Sequence, residues 1–142
     1  MTSKRIIRFG LLIAWLALTV FLSRQSGTGS AELSFCISKK VITIFSLEIP
    51  TRTVNIIIRE SAHFFVHMGL GFLAFRAFMT VVNFKPSVCI SLLICEVIAV
   101  FDEFVQRYVP GRVWDPYDIV MNSLGICLGI IIGILLTKNP PK

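Results

Sequence analysis

The residues best suited to chemistry lie in two polar rows that interrupt an otherwise apolar chain. The first is the stretch DEFVQRYVPGRVWDPYDIVMN, from Asp102 to Asn122, which concentrates carboxylates, arginines and amides. The second repeats a polar residue at every fourth position, a spacing that keeps side chains near one face of a helix. Its members are Asn55, Arg59, His63 and His67. Ionisable groups within apolar segments are costly, so we expect them to find partners or a ligand.

Together these rows predict a polar pocket for an anionic group. The guanidinium groups of Arg59 and Arg112 suit a phosphate or carboxylate, because the planar fork can donate two parallel hydrogen bonds. Glu103, Gln106 and Asn122 would orient the two arginines. The predicted ligand-binding residues are therefore Arg59, His63, Glu103, Gln106, Arg112, Asp118 and Asn122.

Other roles for these residues stay open. Pairing of Glu103 with Arg112 or His63 would form a buried ion pair that fixes helix register. Glu103 with His63 would also suit acid-base catalysis on a lipid-linked substrate, although no GxSxG elbow is present and no catalytic residue is assigned. Glu96 is a candidate proton-relay group of a small transporter, or else a neutral, hydrogen-bonded acid.

The sequence predicts neither a metal nor a cofactor. His63 and His67 have the i, i+4 spacing of two metal ligands, and Glu103 would supply a third. However, the HExxH pattern is absent, because Phe64 and Phe65 follow His63. A nucleic-acid partner is not expected either, since the lysines and arginines are spread along the chain instead of forming one basic patch.

The composition requires these residues to be positioned by membrane helices. Of 142 residues, 55% are hydrophobic, and the mean hydropathy is +0.80. We predict an all-α bundle in a single domain, residues 1–142, with four transmembrane helices at about 6–23, 61–82, 87–108 and 117–136. Between the first two, a helix starting with Ser30 as its N-cap is expected to lie in the headgroup region.

The fourth predicted span begins with DPYD, which places Asp115 as the N-cap and Pro116 at the first helical position. Glycines then recur every four residues at Gly125, Gly129 and Gly133. Such spacing lets a neighbouring helix approach closely, so these glycines are predicted to pack within the bundle or in a homo-oligomer.

The distribution of charge predicts the orientation. Lys4, Arg5 and Arg8 crowd the N-terminus, so both termini are expected to be cytoplasmic. The N-terminal segment imitates a signal peptide, but SRQSG follows it without a cleavage pattern, and a retained helix is predicted. Alternating crossings then bring both polar rows to the outer side of the membrane.

Three segments resemble the VanZ-like family of small bacterial membrane proteins, whose founding member is linked to teicoplanin resistance. They are SRQSG, RESAHFFVHMGLGFLAF and DEFVQRYVPGRVWDPYDIVMNSLGICLG. The most specific part combines E-x-x-Q, a PGR turn, D-x-x-D and N-x-x-G, here Glu103, Gln106, Arg112, Asp115, Asp118, Asn122 and Gly125. Arg59 and His63 match the motif of the second helix, whereas His67 stands where family members more often carry an aromatic residue.

The resemblance implies a multi-pass protein of the bacterial cell membrane. The leading hypothesis is a non-enzymatic envelope protein whose outer pocket binds a cell-wall precursor or a glycolipid headgroup, with membrane lipids as further partners. Such binding would limit the access of a glycopeptide antibiotic to its target. Whether this chain confers resistance is not fixed by family membership.

Overall fold

The computed structural model describes residues 3–25, 27–46, 48–111 and 115–137. These residues form five helices, which confirms that the fold is all-α. The helices are α1 (Ser3–Ser23), α2 (Gly27–Phe45), α3 (Thr51–Phe78), α4 (Phe84–Gln106) and α5 (Pro116–Leu135). Three helices begin within three residues of their predicted spans, whereas α3 begins ten residues before residue 61.

The start of α5 follows from its local sequence. Asp115 Oδ1 accepts a hydrogen bond of 2.9 Å from the backbone N–H of Tyr117, and Pro116 occupies the first helical position. Because the first N–H groups of a helix have no partner within it, this cap satisfies one of them. The predicted N-cap is confirmed, and it fixes where Asp118 enters the bundle.

Helices α3 and α5 pack with their backbones almost in contact. A Cβ atom added at Gly125 would meet the carbonyl oxygen of Phe64, and one added at Gly129 would meet that of Met68. Gly133 lies against the ring of Phe75. The glycine repeat of α5 thus packs against α3, inside the chain's own bundle. This close approach brings the polar residues of α3 and α5 together.

The apolar core lies below the polar residues, between α3, α4 and α5. Its fully buried members are Leu70, Ala74, Phe75, Cys95, Ala99, Ile126 and Ile130. They come from the helix faces that continue the polar rows. The same three helices therefore supply the apolar support and the polar side chains above it.

Helix α1 docks on α3 through Trp15. The indole Nε1 of Trp15 donates a hydrogen bond of 2.9 Å to the backbone oxygen of Val66, and the ring covers Gly69. Thr19 and Ser23, one and two turns further along α1, are also buried. The absence of a side chain at position 69 therefore leaves the space that the ring of Trp15 occupies.

Helix α2 differs from its prediction at its start. It begins at Gly27, so the prediction of Ser30 as the N-cap was wrong, because Ser30 lies within the helix. Its buried residues include Ser34 and Ser38, whereas Leu33 and Ile44 are 59% and 73% exposed. Small serines permit close packing on α3.

By length and composition, two of the described helices qualify as candidate membrane spans: Ser3–Ser23 and Pro116–Leu135. In addition, α4 exposes a series of large apolar side chains: Leu92, Leu93, Ile94, Val97, Val100, Phe101 and Phe104. An apolar surface of this extent is unusual in a soluble monomer. The fold therefore fits a membrane location.

Candidate functional site

A polar cluster occupies the end of the bundle where α3, α4 and α5 meet. We define it as His63, Glu103, Gln106, Asp118 and Asn122. Glu103, Asp118 and Asn122 are 1%, 4% and 0% exposed, and the His63 side chain is 14% exposed. Buried polar groups need partners, so the contacts inside the cluster decide its chemistry.

Glu103 lies at the centre of the polar cluster. Its Oε1 accepts hydrogen bonds from Gln106 Nε2 at 3.3 Å and from Asn122 Nδ2 at 3.5 Å. His63 Nδ1 lies 3.6 Å from the same oxygen, which corresponds to the predicted pairing of Glu103 with His63. One carboxylate oxygen therefore joins all three helices.

Asp118 brings a second carboxylate to the cluster. The carboxyl group of Glu60, on α3, lies close enough to interact electrostatically with Asp118. Two like charges repel each other, so a shared proton or a nearby cation would stabilise this pair.

A cavity of about 200 Å³ lies beside the polar cluster, between α1, α2, α3 and α4. Its lining is mixed. The charged groups and imidazoles come from α3 and α4: Arg59, His63, His67 and Asp102, with the amide of Gln106. Hydroxyl and amide groups are added by Thr19, Ser23, Gln25 and Ser34, and apolar surface by Leu22, Leu33, Ile37, Ile58 and Val66. Gln106 connects cavity and cluster, because its Nε2 also donates to Asp102 Oδ2 at 2.9 Å. The cavity is therefore amphiphilic.

His67, which lines this cavity, has one buried hydrogen-bonding atom without a partner among the described residues. Its Nδ1 lies 3.1 Å from the backbone oxygen of His63, and a carbonyl oxygen can only accept, so Nδ1 carries the proton. Nε2 is then an acceptor, and it is buried without a hydrogen-bond partner among the described residues. A ligand with an O–H or N–H donor would satisfy it.

The predicted ligand-binding residues divide into two groups. Arg59, His63 and Gln106 line the cavity, and Arg59 is exposed at its rim. Glu103, Asp118 and Asn122 lie deeper, in the polar cluster. Arg112, which was predicted to bind a phosphate or carboxylate together with Arg59, lies outside the described residues.

Three residues at the site were not among the predicted ligand-binding residues. His67 was placed in the polar row of α3 and considered as a metal ligand, but it was not assigned to ligand binding. Asp102, one residue before Glu103, contacts Gln106 and lines the cavity. Glu60 carried no periodic pattern, and its electrostatic interaction with Asp118 depends on how α3 and α5 pack.

Glu96 lies apart from the cavity and the polar cluster's contacts. Its Oε2 accepts a hydrogen bond of 2.6 Å from Ser123 Oγ, which joins α4 to α5. This contact corresponds to the hydrogen-bonded carboxyl that the sequence left as one alternative. It stabilises helix packing next to the site.

Comparisons with known proteins agree with the motifs. A family model described as VanZ/LLP1 matches residues 9–137, which include the whole polar cluster. An uncharacterized protein of the yeast Schizosaccharomyces pombe is 31% identical over 122 residues, covering 75% of this chain and 70% of that protein. No solved structure matches the chain.

Proposed function

The chain belongs to the VanZ/LLP1 family, and from this premise we propose that it is a multi-pass membrane protein whose cavity binds an anionic amphiphile. The headgroup would lie against Arg59, His63 and His67, and the apolar part against Leu22, Leu33 and Ile37. The polar cluster behind the cavity holds the three helices in register.

The observation that carries this proposal is the mixed lining of the cavity, in which an arginine and two histidines lie with several large apolar side chains. Binding sites for small molecules are typically concave and mostly apolar, with a few placed polar groups that fix orientation. Arg59 suits a phosphate or carboxylate, and the imidazole of His67 suits a hydroxyl group of the same headgroup. Glycerol-based and sugar-based phospholipids carry both groups.

We favour a membrane lipid over a cell-wall precursor as the occupant. The relative in Schizosaccharomyces pombe belongs to a yeast, and yeasts have no peptidoglycan, so a ligand common to both settings is a lipid headgroup. Teicoplanin resistance would then be a bacterial consequence of binding, in which an occupied site limits the access of the glycopeptide to its target.

The proposal includes four membrane crossings, by α1, α3, α4 and α5, with α2 at the outer interface. It is supported by the exposed apolar side chains of α4 and by Ile56, Ile57 and Phe65 of α3, which are 50%, 56% and 57% exposed. In this arrangement the cavity opens toward the outer side, and both termini are cytoplasmic.

Cysteine labelling checks this topology. In a variant whose four native cysteines are serine, Pro110→Cys is expected to react with a membrane-impermeant maleimide in intact cells. Asn83→Cys is expected to react only after the membrane is permeabilised, because the connection between α3 and α4 is cytoplasmic. Both positions are exposed in the structure, so a difference in labelling between them reflects the side of the membrane on which each one lies. The reverse pattern would turn the cavity toward the cytoplasm.

Native mass spectrometry in detergent checks the ligand. Wild-type protein is expected to retain phosphatidylglycerol in preference to phosphatidylcholine, and Arg59→Gln is expected to weaken this retention about tenfold, which corresponds to about 1.4 kcal/mol. Arg52→Gln is the matched control, since Arg52 is an exposed arginine of α3 that does not line the cavity. Equal retention of both lipids by the wild type, or unchanged preference in Arg59→Gln, would contradict the proposal.

A further inference from the structure

The polar cluster contains three potential metal ligands from three helices. His63 of α3, Glu103 of α4 and Asp118 of α5 each place one nitrogen or oxygen atom within 4.8 Å of the others. Bonds from zinc to such atoms are about 2.0–2.2 Å, so ligand atoms sharing one ion lie about 3–4 Å apart. Small rotations of these side chains are enough to reach that spacing.

A cluster of acids is not in itself a metal site, because exposed carboxylates often group together. Here, however, Glu103 and Asp118 are 1% and 4% exposed, and the carboxyl of Glu60 adds a further negative charge near Asp118. Burial makes the charge of a carboxylate expensive. A divalent cation between them would offset this cost more effectively than neutral hydrogen bonds.

Asn122 gives an independent indication of a ligand. Its side chain is fully buried, and its Nδ2 donates to Glu103 Oε1, so the amide points into the cluster. Its Oδ1 has no hydrogen-bond partner among the described residues. An amide oxygen readily coordinates a metal cation. Asn122 lies one helical turn after Asp118 on α5, so both side chains project from the same helix face.

From this arrangement we propose that His63, Glu103 and Asp118 bind one divalent transition-metal ion, with Asn122 Oδ1 as an additional oxygen donor. One imidazole nitrogen with carboxylate oxygens suits zinc or manganese, whereas magnesium and calcium prefer oxygen ligands alone. His63 also lines the cavity. The ion would therefore lie at its polar end, where it adds positive charge facing an anionic headgroup.

The site joins residues that are far apart in the sequence. The sequence pattern considered for a metal paired His63 with His67, but His67 Nδ1 contacts the backbone of α3, and the three grouped ligand atoms come from His63, Glu103 and Asp118. Asp118 takes the place expected for the second histidine, and the packing of α5 on α3 brings it there.

The test uses the full-length protein in detergent after treatment with EDTA. Titration with zinc chloride is expected to show one ion per chain and to raise the melting temperature, whereas magnesium chloride at the same concentration does neither. His63→Gln and Asp118→Asn are each expected to weaken zinc binding at least about tenfold. Glu32→Gln is the control, because Glu32 is an exposed acid of α2.

Asn122→Asp separates a metal site from a hydrogen-bonded network. Without metal, this variant adds a third carboxylate to those of Glu103 and Asp118. It is therefore expected to melt at a lower temperature than the wild type. With zinc, its melting temperature is expected to rise by more than that of the wild type. Absence of zinc binding by the folded wild type overturns the proposal, as does unchanged affinity in both ligand variants. Because no lipid is added, its failure would leave the lipid-binding result untouched.

Discussion

Gly129→Ala is expected to destabilise the protein by about 3 kcal/mol, at the upper end of the range for overpacked cores. The added methyl group would meet the carbonyl oxygen of Met68, and the amide nitrogen of Phe72 lies only 2.8 Å from its position. Both are backbone atoms of α3, so no side-chain rotation can make room and the two helices must separate. The melting temperature in detergent, followed by tryptophan fluorescence, measures the effect.

Gly10→Ala is the matched control. Gly10 lies in α1, and a Cβ atom there would meet nothing within 4 Å. Alanine has the higher helix propensity, so this change is expected to stabilise α1 by up to about 1 kcal/mol. If Gly129→Ala has the same melting temperature as Gly10→Ala, the contact between α3 and α5 is looser than the structure shows.

Trp15→Ala is expected to destabilise by about 3 kcal/mol and to release lipid from the cavity. The substitution removes the ring that covers Gly69 together with the hydrogen bond to Val66. Since this ring anchors α1, its loss would also displace Thr19 and Leu22, which line the cavity. Melting temperature and lipid retention are measured on the same preparation.

Two variants identify the cause of that loss. Trp15→Phe keeps an aromatic ring but loses the indole N–H, so it is expected to cost only about 1 kcal/mol, the value of one hydrogen bond. Phe21→Ala removes an aromatic residue of α1 that is 63% exposed, and it is expected to retain lipid normally. Lipid release by Phe21→Ala as well would mean that any change in α1 empties the cavity.

Much of the fold was predictable because it depends on local sequence. The cap at Asp115, Pro116 at the start of α5 and the glycine spacing each act within one or two helical turns. The start of α2 was less predictable, since the Ser/Gly stretch before Ser30 looks like a loop but continues the helix from Gly27. The burial of Ser34 and Ser38 was not predictable either, because it depends on how α2 packs on α3.

The candidate site was predictable only in part. Periodicity placed Arg59, His63 and His67 on one face of α3, and the exposure of these residues falls along α3 from Arg59 to the buried His67. It could not show that Glu103 contacts both His63 and Asn122, because this depends on the rotation of three helices about their axes. Nor could it separate the cavity-lining residues from those behind them.

The packing of α2 has a consequence for how the cavity exchanges its contents. Among the described helices, α2 packs against α3 alone, through the serine face of Ser34 and Ser38, whereas α3 is held by four other helices. Swinging α2 outward would break one interface and leave the contact between α3 and α5 intact. Such a movement would open a lateral entrance from the cavity to the acyl chains of the membrane. We therefore expect the proposed lipid to enter and leave by lateral diffusion within the leaflet that contacts α2, without passing through water.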